Sequence, residues 1–132
     1  MKRLLLILLA LAAPALAQTP MTGAEFDAYS KGKTFYYGSA GQAYGVEQYF
    51  DDRRVRWSFL DGQCADGYWY ELGEMICFEY EAEHDIGPQC WTFFEGPGGL
   101  VAQFNGDPAQ TTLYQVQDAE EPMVCLGPEV GV

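Results

Sequence analysis

Basic residues are scarce in this chain. Seven Lys and Arg stand against 19 Asp and Glu, a formal charge of −12. So acidic a chain is repelled by nucleic acid and by anionic lipid headgroups, both phosphate polyanions, and neither is an expected partner. Histidine is nearly absent too. His84 is the single one, and it sits between Glu83 and Asp85, acids that favour its charged form. A charged imidazole suits neither a metal ligand nor a catalytic base, and no nucleophile motif accompanies it. There is no C-x-x-C pair and no EF-hand loop, and Gly96-Pro97-Gly98-Gly99 lacks the Lys-Ser/Thr ending of a phosphate loop, so it reads as a turn. Apolar runs of membrane-spanning length are missing as well; Leu4 to Ala13 is too short. With these gaps the expectation is a non-enzymatic chain with no catalytic residue, no metal and no cofactor.

What is present begins with an export signal. Lys2 and Arg3 form a positive start, Leu4 to Ala13 an apolar stretch, and Ala15-Leu16-Ala17 a small-residue cleavage site. Residues 1–17 are therefore read as a signal peptide and the chain as periplasmic or secreted. Removing those 17 from the 132 leaves 115 residues, a normal size for one domain, and shifts the formal charge from −12 to −14. Three Trp, nine Tyr and eight Phe supply ample core material.

Residues 18–21 read as a flexible lead-in. Thr22-Gly23-Ala24-Glu25 fits a capping box, and the helix it starts carries Phe26 and Tyr29 on one face and stops at Gly32. From Lys33 the period switches to two. Segments 33–38, 43–50, 53–60, 66–72, 74–82, 89–95, 99–105 and 111–117 read as strands separated by Gly-, Asp- and Pro-rich turns. In 53–60, Val55, Trp57 and Phe59 point one way and Arg54, Arg56 and Ser58 the other; Asp51-Asp52-Arg53-Arg54 looks like a charged turn with local salt bridges. Eight such strands predict an all-β domain over 22–117: an antiparallel up-and-down barrel flanked or plugged by the one helix, with a flattened sandwich as the alternative. Residues 118–132 form an acidic tail.

Four cysteines follow the export signal, at spacings of 13, 13 and 35. In an oxidising compartment they read as two disulfides, with three pairings available. If 74–82 and 89–95 form a hairpin, Cys77 falls opposite Cys90 and Ile76 opposite Trp91, so bridge and packing agree. Cys64 then joins Cys125 and pins the tail. That second bridge closes a loop of about 60 residues and is worth about 4 kcal/mol in the chain-entropy account.

The aromatic residues carry the functional expectation. Tyr44, Trp57, Phe59, Phe78, Tyr80, Trp91 and Phe93 are expected to face inward. They either fill a solid core or line a hollow for an apolar or aromatic ligand, in which case a connected cavity of about 300 Å³ or more is required. Tyr36, Tyr37, Tyr44, Tyr49, Tyr68 and Tyr70 add hydroxyls that could orient such a ligand. Glu79, Glu81 and Glu83 alternate along one strand and read as a solvated outer face, with weak calcium binding or contact with a basic protein as the alternatives.

The string Asp66-Gly67-Tyr68-Trp69, with Ile76-Cys77-Phe78 and Cys90-Trp91, resembles small exported bacterial β-proteins of unknown function over about residues 30–105. The resemblance implies export and a β-rich fold. The plan of a leading helix and eight strands is similar to lipocalin-like barrels in architecture only, since Gly32-Lys33-Thr34 stands where their G-x-W would be. Periplasmic lysozyme inhibitors are likewise small exported β-barrels that engage basic enzymes, although their Ser-Gly loop has no clear counterpart here. The expected partners are thus a small apolar ligand or, alternatively, a basic protein.

Overall fold

A computed structural model of the chain describes residues 18–81, 86–116 and 123–126. The predicted signal segment, His84 with its flanking acids, and most of the acidic tail lie outside the described residues.

Helix α1 (Gly23–Ser30) starts where the capping box places it. The Thr22 hydroxyl accepts the Glu25 N–H at 3.2 Å and donates to the Glu25 carboxylate at 3.1 Å, so the box closes through the side chain. The Gly23 N–H donates to the Glu71 carboxylate, tying the helix start to the sheet. At the end of the lead-in Met21 is buried, and its N–H donates to the Phe93 carbonyl at 2.7 Å.

Eight strands follow: β1 (Thr34–Ser39), β2 (Gln42–Tyr49), β3 (Arg54–Ser58), β4 (Ala65–Leu72), β5 (Met75–Tyr80), β6 (Gln89–Gly96), β7 (Gly99–Phe104) and β8 (Thr112–Val116). Each pairs antiparallel with the next, and β8 returns to β1 through Tyr36↔Val116, Tyr37↔Gln115 and Gly38↔Tyr114. The result is a closed up-and-down barrel, not a sandwich. Closure gives every strand a neighbour on both sides. Among the described residues no helix is long and apolar enough to cross a membrane.

Both bridges pair as expected, Cys77 with Cys90 by the hairpin register and Cys64 with Cys125 as the remaining pair. Cys77 lies opposite Cys90 with Ile76 opposite Trp91, and the Cys77–Cys90 disulfide staples β5 to β6. Cys64 bonds Cys125 across a separation of 61 residues, and the Leu126 N–H donates to the Gly62 carbonyl beside it. The segment 123–126 is thereby held at the β3–β4 loop.

The two ends of the barrel differ. At the end bearing the β2–β3, β4–β5 and β6–β7 turns, α1 inserts Phe26, which is fully buried. Its ring centroid lies 4.5 to 5.6 Å from those of Phe93, Trp69 and Tyr49 and 6.3 Å from that of Phe78. Burying such a ring stabilises by about 1.5–3 kcal/mol, with edge-to-face contacts adding to it. Val55, Ile76 and Leu100 complete this solid half.

The charged turn differs from the sequence reading. Among the described residues neither Asp51 nor Asp52 pairs with its neighbouring arginines. Arg54 reaches Glu81 at 3.3 Å, and the Arg53 guanidinium lies 4.4 Å from the Trp69 ring centre. Arg53 takes a φ of 63°, and the Trp69 ring beneath its guanidinium packs edge-on against Phe26.

Candidate functional site

The opposite half of the barrel is hollow. A cavity of about 340 Å³ extends from the Phe26 plug to the end formed by the β1–β2, β3–β4 and β5–β6 loops. All seven rings singled out from the sequence border it. Phe78 and Phe93, both touching Phe26, form its floor. Trp57, Trp91 and Tyr80 stand on its wall, and Tyr44 and Phe59 at its mouth.

Two of these residues arrive by routes that strict alternation does not give. Phe59 is not part of a strand: β3 ends at Ser58, Leu60 takes a φ of 63°, and Phe59 is 59% exposed. Its ring packs edge-on against Trp57 at 5.2 Å and Tyr44 at 5.8 Å, so it forms a rim rather than a wall. Ser58, predicted on the wet side, is buried, with its hydroxyl accepting the Leu60 N–H at 3.0 Å. Tyr44 falls in the β1–β2 irregularity, where Tyr37 pairs with Gly45 and Gly38 with Ala43, leaving Tyr44 without a cross-strand partner. A bulge of this kind re-aims a side chain.

Trp57 depends on Gly45. A Cβ at position 45 would lie 2.2 Å from the indole, so only glycine lets the ring lie across β2.

The tyrosine hydroxyls divide. Tyr37, Tyr44 and Tyr49 border the cavity, and the Tyr37 and Tyr49 hydroxyls bond each other at 2.8 Å. The other three do not reach it. Tyr36 points outward and accepts the Met123 N–H at 3.1 Å, while Tyr68 donates to Glu79 on the outer face and packs beside Tyr70. Glu79 and Glu81 are thus engaged with Tyr68 and Arg54, and Glu83 lies outside the described residues. Among the described residues no group of three or more His, Cys, Asp or Glu is arranged to hold a metal ion.

Glu47 is the feature that sequence reasoning missed. It lies on β2, cross-strand from Phe35 on β1 and Trp57 on β3, and is 2% exposed. The Tyr80 hydroxyl, from β5, donates to it at 2.9 Å, with the second carboxylate oxygen at 3.2 Å. Burial pushes the Glu47 carboxyl well above its usual range, and the Tyr80 hydrogen bond only partly opposes this. Burial likewise raises Tyr49 and Tyr80, the latter also through the nearby Glu47 charge. Among the described residues lining the cavity, Glu47 is the one carboxylate and none is basic. Its position was readable from parity, since Gly45, Glu47 and Tyr49 share a face, but a glutamate in a polar stretch looks like a surface residue.

Gln63, Cys64, Ala65 and Ile86 complete the mouth. Ile86 is 74% exposed, and with Phe59 it gives the opening an apolar rim. The Cys64–Cys125 bridge therefore sits at the entrance. No protein-family model, curated protein or solved structure matches the chain.

Proposed function

We propose that this chain is an exported, non-enzymatic binding protein whose barrel holds a small apolar or aromatic ligand. The observation that supports the reading is the cavity itself: about 340 Å³, ring-lined, and bordered at one end by exposed apolar residues. Ligand sites of small molecules begin at about 300 Å³ and are lined mainly by apolar and aromatic side chains. Two disulfides and the N-terminal signal pattern accord with an oxidising compartment.

The test is titration with the neutral fluorophore N-phenyl-1-naphthylamine, whose emission rises in apolar surroundings. The wild type is expected to bind it saturably at one site. Ala65 lines the cavity as the cross-strand neighbour of Trp57, and Ala65→Trp is expected to fill the ligand's space with an indole and abolish the signal with the far-ultraviolet circular dichroism preserved. Failure of the folded wild type to bind the naphthylamine or any smaller aromatic ligand, or equal binding of the naphthylamine by the variant, would refute the reading.

A second reading is supported by the surface charge. Among the described residues Asp51, Asp52, Glu74 and Glu95 have no ion-pair partner, and the chain as a whole is strongly acidic. Docking on a basic protein such as a cell-wall hydrolase would then weaken as salt rises. Capture insensitive to ionic strength would exclude it.

A further inference from the structure

Glu47 is the part of the cavity that an apolar ligand does not explain. A carboxylate accepts about four hydrogen bonds. Here the one donor seen on it among the described residues is the Tyr80 hydroxyl, while the Tyr37 and Tyr49 hydroxyls share a hydrogen bond with each other. Burying an acid in this way is costly unless a partner satisfies it. No Lys, Arg or His among the described lining residues can serve. Without such a partner the buried acid is held neutral by its proton, and a cation entering the cavity would give the ionised form its counter-charge.

The walls around it select the sign of that partner. Trp57 is the direct cross-strand neighbour of Glu47, and Tyr44 and Phe59 pack on Trp57 towards the mouth. Aromatic rings attract cations through their quadrupoles, most strongly when water is excluded. An anion meets the opposite: an acid, and no basic group among the described lining residues.

We infer that the ligand is a small organic cation, a protonated amine or quaternary ammonium on an aromatic or apolar body, with its charge at Glu47 and its body against Trp57 and Trp91. This rests on the cavity reading above and adds the charge of the ligand to it. The site is anchored at one buried acid, so charge rather than ring shape sets the preference.

A charge series on one ring tests it: calorimetric titration at pH 8 with tryptamine, the neutral alcohol tryptophol, and the anion indole-3-acetate, in the wild type and in Glu47→Gln. Wild type is expected to bind tryptamine at least about ten-fold more tightly than tryptophol, with indole-3-acetate weakest, as a desolvated ion pair implies. Glu47→Gln keeps the shape and the acceptor for Tyr80, and is expected to bring tryptamine down to the tryptophol level while leaving tryptophol unchanged. Equal binding of tryptamine and tryptophol by the wild type overturns the inference, as does a preference that survives in Glu47→Gln. The wild-type series stands even if the variant folds poorly. Binding of N-phenyl-1-naphthylamine without any charge preference removes this inference alone. Exclusion of the naphthylamine and all three indoles removes the cavity reading with it.

Discussion

Replacing Glu47 with Gln should make the empty protein more stable at neutral pH, by an amount that grows with pH. In the unfolded chain the carboxyl ionises near 4.5. In the folded barrel burial holds it well above that value, because ionising it there means placing a charge among rings. Between the two values the folded protein keeps a proton that the unfolded chain has lost. Stability therefore falls as pH rises through that interval, by about 1.4 kcal/mol per pH unit, and levels off above the folded value. Glutamine has no such interval. Urea unfolding followed by tryptophan fluorescence, at half-unit steps from pH 4 to 8, should show the two proteins nearly equal at pH 4. They should then separate with that slope, the variant more stable. The other acids are common to both proteins and cancel in the difference. Parallel pH profiles would refute the reasoning, since they would mean that Glu47 ionises alike in both states. A wild type more stable than the variant at pH 7 would mean that the carboxylate already has its counter-charge.

Two further outcomes follow from the packing and the bridges. Phe26→Ala removes the ring that touches Tyr49, Trp69, Phe78 and Phe93, and should cost about 3–5 kcal/mol in the same unfolding assay; a cost below 1 kcal/mol would show that the plug does not hold the barrel end. Replacing Cys64 and Cys125 by serine opens a 61-residue separation and should cost about 4 kcal/mol, against about 3 for Cys77 and Cys90 at a separation of 13. A larger loss from the shorter loop would count against the chain-entropy account here.

Most of the fold was legible because turns and alternation are local signals. Asp, Gly and Pro at regular intervals marked each hairpin, and one register for β5 and β6 satisfied both Cys77–Cys90 and Ile76–Trp91. The candidate site was legible as a set of rings but not as a shape. Whether those rings meet or stand apart depends on the Phe26 plug filling one half of the barrel and not the other, a tertiary matter. Phe59 and Tyr44 reach the mouth through a left-handed residue and a bulge, where period-two reasoning stops. Glu47 was hidden by its own chemistry, since burial of an acid is decided by what closes around it. The pairing of Arg54 with Glu81 was equally out of reach, because Arg54 lies on β3 and Glu81 just past the end of β5, and those strands are not neighbours in the barrel order.

Stoppered at one end by Phe26, the barrel is a blind vessel, so whatever enters must leave by the same doorway. The tethered strand of chain at Cys125 stands beside that doorway. An obstruction placed there raises a barrier shared by arrival and departure. Both rates then slow by one factor, and the equilibrium occupancy stays where it was.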